Sequence, residues 1–128
     1  MWLPTGPLVA DALQSFDVFV HPSDREGLPM VVMQAMSAGV PVVAEDAGGT
    51  REVVRTGETG ILVPIGDHEH LGRGVVAMLT NRELAGRMTA AARRTIEDGH
   101  VELDRVRAIE QAYVRLIDAR RRGELRVD

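Results

Sequence analysis

The sequence predicts an α/β fold: a short parallel sheet of about three strands, flanked by helices. Two observations carry this. Short β-rich runs, "DVFVH", "PVVAE" and "GILVP", recur along the chain, and each is followed by a helical pattern, the habit of parallel sheets buried on both faces. Composition agrees, since 128 residues with 45% hydrophobic and 27% charged side chains suffice for one globular domain with a real core.

The elements follow in order. "PLVADALQS", Pro7 to Ser15, reads as a helix leading into a first strand at Asp17 to His21. The next helix opens at Pro29, because proline suits a first helical position, and closes near Gly39, a left-handed cap ahead of Pro41. Its apolar residues occur all round, which predicts deep burial. A second strand spans Pro41 to Glu45, and a short helical piece at "TREVVR" follows the Gly48-Gly49 turn. After a third strand, Gly60 to Pro64, Asp67 is the expected N-cap of a helix whose Leu71, Val75, Met78 and Leu79 share a face. Thr80 and Glu83 have capping-box spacing before a helix presenting Leu84, Met88, Ala91 and Ile96, with Gly99 as its stop. Residues 101–122 form a C-terminal amphipathic helix carrying Leu103, Val106, Ile109, Tyr113, Leu116 and Ile117, and 123–128 a frayed tail. The whole of 1–128 is expected to be one partial domain. A first strand fed directly from a helix lies at an open edge unless another segment or chain pairs with it.

Composition also excludes. With 15 basic and 19 acidic residues the formal charge is −4, so nothing favours nucleic acid or an anionic membrane as a partner. The absence of cysteine removes disulfides, thiolate metal sites and a cysteine nucleophile, and fits a reducing compartment. No apolar run is long enough to span a bilayer, and the start lacks a signal-peptide pattern, so a cytoplasmic location is expected. His68 and His70 lie two apart and point to different sides of a helix, which argues against a metal site.

The informative stretch is "EGLPMVVMQAM", Glu26 to Met36. A helix N-terminus offers unpaired N–H groups and partial positive charge, so this turn suits an anion such as phosphate. Gly27 allows close backbone approach, and since Pro29 has no N–H, the expected donors are the amides of Leu28, Met30 and Val31. Glu26, just outside, can accept from sugar hydroxyls, and Gln34 lies one turn further in on the face of Met30 and Val31. Plainer readings stand beside these. Glu26 can be a charge complementing the helix dipole, Gln34 can satisfy a loop carbonyl, Gly48-Gly49 can be only a turn, and His21 can merely end a strand.

"DVFVHPSDREGLPMVVMQAMSAGVPVVAEDAGGTREVVRTGETGILVPIGD" resembles the C-terminal signature of the retaining, nucleotide-sugar-dependent glycosyltransferases of the GT-B fold, group 1 or family 4. The matching elements occur in order: Pro22-Ser23, Glu-Gly-x-Pro, "AMSAGVPVVA", Gly-Gly-x-x-Glu ending at Glu52, and "TGILVPIGD". The resemblance implies a partial Rossmann-like sheet corresponding to the second half of the GT-B C-terminal domain. It implies hexosyl transfer from a nucleoside-diphosphate sugar to an acceptor hydroxyl with retention, without metal or cofactor. Glu26 then takes the catalytic place beside the transferred sugar, with Gly27, Leu28, Met30, Val31 and Gln34 binding the donor. Gln34 falls where the family has a second glutamate, directed at the ribose, and departs from the pattern. The acceptor domain and the first half of the donor domain, with its diphosphate-neutralising Arg and Lys, have no counterpart here. The chain is therefore expected to be weakly active or inactive alone, and to meet a second copy or a complementing chain. The rival expectation is a non-catalytic interaction or assembly module that retains the fold.

Overall fold

A computed structural model describes residues 7–98, 111–115, 117–120 and 122. The chain divides into two compact units, Met1–Asp98 and Gly99–Asp128. In the first, α1 (Pro7–Gln14), β1 (Phe19–His21), α2 (Met30–Ala38), β2 (Val42–Glu45), α3 (Thr50–Val53), β3 (Ile61–Val63), α4 (His68–Thr80) and α5 (Arg82–Asp98) follow one another. In the second, residues 111–115 and 117–120 are helical, while Gly99, Leu103, Val106, Ile109 and Leu116 of the expected stop and helix lie outside the described residues.

The three strands form a parallel sheet in the order β1-β2-β3. Val20 pairs with Val43 and Val43 with Ile61, so these side chains share one face. There Val43 and Val63 pack with Leu71 and Met78 of α4 and with Ala85 and Met88 of α5. All four β2 residues are buried, as a central parallel strand requires. Glu45 is among them. Its Oε1 accepts the Gly66 N–H at 3.0 Å, which fastens the β3–α4 turn to the end of β2.

Local chemistry sets the helix ends. Gly39, at φ 78°, closes α2 in a Schellman arrangement: its N–H reaches Met36 O, and the Val40 N–H reaches Ala35 O at 3.0 Å. Asp67 caps α4 by accepting the His70 N–H, and its second oxygen meets His70 Nδ1 at 2.7 Å. That backbone N–H first, and the His70 ring second, hold the Asp67 carboxyl below its ordinary pKa.

The structure corrects three expectations. α5 is capped by Asn81, whose Oδ1 accepts the Leu84 N–H at 3.0 Å, whereas the Thr80 hydroxyl donates back to Val76 O within α4. Thr80 is thus the last residue of one helix and not the cap of the next. Leu79 does not join the core face and is exposed, because it sits one residue past Met78, off the buried stripe. Nor is α2 buried all round: Val32, Ala35 and Met36 are fully buried, but Met30, Val31, Gln34 and Ser37 form an exposed stripe at helical spacing.

Candidate functional site

The carboxyl ends of the strands carry the loops in which parallel α/β sheets bind ligands. Two of these loops interlock here. The one after β1 brings Glu26 and Gly27 over the Gly48-Gly49 turn that follows β2, and the Gly49 N–H donates to Glu26 O at 3.4 Å. A Cβ on Gly48 would lie 1.8 Å from Glu26 O, and one on Gly49 would lie 2.0 Å from Gly27 O. Gly48 also has φ 48°. Gly48 and Gly49 thus let the two loops approach each other, whereas a Cβ on Gly27 meets nothing within 4 Å, so the space beside it is open.

Beyond this crossing α2 begins. Pro29 occupies the N-cap, and the Met33 N–H reaches its carbonyl at 3.0 Å. The Met30 N–H donates to Leu28 O at 2.8 Å, so it is already engaged, unlike the free donor expected from the sequence. For the amides of Leu28 and Val31 no backbone acceptor occurs among the described residues. The Met30 and Val31 side chains and Gln34 face outward on the same side of α2.

Glu26 is fixed twice, through its carbonyl by Gly49 and through its carboxylate by His21. His21 Nε2 lies 2.7 Å from Glu26 Oε1, both side chains being largely buried, and the imidazole stacks on Phe19 with ring centroids 6.2 Å apart. From sequence His21 is expected only to end a strand. A histidine five residues before a glutamate carries no periodic signal, and only the folded path of the loop after β1 brings the two together. Thr50, after the glycines, is fully buried with its hydroxyl unpaired, and so lines the packed side of the loop and not its surface. Among the described residues no cluster of His, Asp and Glu could hold a metal ion, and no helix is long and apolar enough to cross a membrane.

The family whose description is "Glycosyl transferases group 1" matches residues 2–95. The chain belongs to the group 1 glycosyltransferases. It is 41% identical over 91 residues to a GDP-mannose-dependent alpha-mannosyltransferase of Mycobacterium tuberculosis, covering 71% of this chain and 24% of the relative. It is also 41% identical over 100 residues to the sulfoquinovosyl transferase SQD2 of Arabidopsis thaliana, covering 73% and 20%. Among solved structures, sucrose-phosphate synthase from Thermosynechococcus elongatus superposes with a TM-score of 0.76 at 28% identity, covering 88% of this chain and 28% of that one. The matched region of this group 1 glycosyltransferase chain thus spans about a quarter of the length of these relatives and has the GT-B type of sheet expected from the sequence.

Proposed function

We propose that this chain is the nucleotide-sugar-binding portion of a glycosyltransferase that moves a hexosyl group to an acceptor hydroxyl with retention. The observation that carries the reading is the outward face at the start of α2. There the open space at Gly27 and the Leu28 and Val31 amides follow Glu26 along the chain, and Gln34 is exposed on the same side of the helix as Met30 and Val31. A diphosphate fits the amide end, where the helix dipole favours negative charge. Glu26 orients the hexose through its hydroxyls, and Gln34 reaches the ribose. The GDP-mannose dependence in the name of the mycobacterial relative supports a nucleotide sugar as donor.

Gln34 weakens the ribose contact relative to a carboxylate, since a neutral hydrogen bond contributes about 1 kcal/mol less than a charged one. The groups that neutralise the departing diphosphate have no counterpart among the matched residues. Their stabilisation is usually the largest catalytic contribution, so these residues by themselves are a donor binder with little turnover. A second reading, a non-catalytic assembly module, is favoured by the exposed apolar pair Met30 and Val31.

The test is ligand-induced stabilisation. UDP or GDP, but not sulfate, should raise Tm, and Gln34→Glu should enlarge the rise. An equal response to sulfate, or none to either nucleotide, rejects donor binding and leaves the assembly reading.

A further inference from the structure

We infer that His21 is the positioning residue for the Glu26 carboxylate. It holds Oε1 from the end of β1 and so turns Oε2 toward the hexose of the donor. The inference rests on the donor-site reading above and adds to it a residue outside the Glu26 to Gln34 stretch. A glutamate side chain in a loop has three rotatable bonds, and fixing them on binding costs rotamer entropy that a pre-set carboxylate avoids. Here the fixing is already done. The 2.7 Å contact between His21 Nε2 and Glu26 Oε1 lies in a largely buried place, with side-chain exposures of 13% and 22%. The imidazole in turn cannot swing freely, because it is stacked on Phe19 at an interplanar angle of 18° and rises from a strand paired to β2 at Ala44. The Glu26 backbone is tied separately by the Gly49 N–H. With the main chain anchored by one loop and one carboxylate oxygen by the strand, the orientation of the second oxygen is determined. A carboxylate has lone pairs enough to accept the imidazole N–H on one oxygen and sugar hydroxyls on the other.

Phe19 and His21 lie on the same face of β1, and each supports the next link toward the loop. The alternative is a staple that only pins the loop to the strand. The two roles separate experimentally, because a staple serves the whole site whereas a carboxylate positioner serves only the hexose end.

The experiment compares calorimetric affinities of UDP-glucose with UDP, and of GDP-mannose with GDP, in the wild type, His21→Phe and His21→Gln, with Tm recorded for each. Phenylalanine keeps the stack on Phe19 and removes the donor; glutamine keeps an N–H where Nε2 lies. His21→Phe should weaken nucleotide-sugar binding about tenfold, the cost of ordering a freed Glu26 side chain on binding, and leave free-nucleotide affinity unchanged. His21→Gln should restore most of it. An equal loss for nucleotide and nucleotide sugar, or no loss for either, overturns the inference while leaving donor binding intact. If the wild type binds no nucleotide at all, the donor reading fails and this inference falls with it.

Discussion

Three glycines at the site and one at the far end of α2 have different jobs. At Gly48 and Gly49 an added Cβ would collide with backbone carbonyls, which cannot move aside as a flexible side chain can. Gly49→Ala should therefore cost about 1–3 kcal/mol by overpacking and displace Glu26 with it, visible as a lower Tm and a loss of nucleotide response. At Gly27 an added Cβ meets nothing, so Gly27→Ala should leave stability within roughly half a kcal/mol of wild type, with little change in Tm, while still weakening nucleotide binding, if phosphate occupies that space. A fall in Tm as large as that of Gly49→Ala would assign Gly27 to packing alone. Gly39 has a conformational job, since its left-handed φ ends α2. The sequence displayed all four glycines, but which carbonyl each one faces depends on two loops separated by more than twenty residues.

At the scale of elements, α2 shows how pattern and packing diverge. Its run of valine, methionine and alanine reads as buried on every side, yet Met30, Val31 and Gln34 are open because no described element packs on that stripe. The start of α4 was legible, because an N-cap acts within three residues: Asp67 and His70 are close in sequence as well as in space. Folding lowers the Asp67 pKa, so its carboxylate stabilises the fold above the ordinary value of 3.8, and that contribution disappears as pH falls through the lower folded value. Asp67→Ala should lower Tm near neutral pH, and the difference from wild type should narrow as the pH falls below the ordinary value of 3.8. A difference that persists unchanged into acid would show that the cap acts without its charge. The α4–α5 junction is not fixed by pattern, because Thr80 and Asn81 are both good caps and one residue of helix length decides between them.

At the scale of the molecule the two sheet edges are not alike. Beyond β3, the Thr56 hydroxyl donates to Leu62 O at 3.1 Å and accepts the Leu62 N–H at 2.9 Å, which closes that edge with a side chain. β1 pairs with β2 only, and no comparable cover of its other side occurs among the described residues. An open parallel edge is a template for another strand. Light scattering at high protein concentration should therefore show self-association, or a monomer that becomes a stable complex when a polypeptide carrying the remaining strands is added. A monodisperse monomer indifferent to such a partner would contradict this.

The sequence by itself determined the α/β class, the three strands and their order along the chain, the stop of α2 at Gly39 and the start of α4 at Asp67, and the family. These depend on periodicity, capping chemistry and a run of motifs, all of which are local. Tertiary structure alone decided that His21 meets Glu26, that Gly48 and Gly49 carry the weight of the crossing loops, and that one stripe of an apolar helix faces outward. Each of these is a contact between segments whose separation in the chain holds no period, so only the folded backbone brings them within a few ångströms.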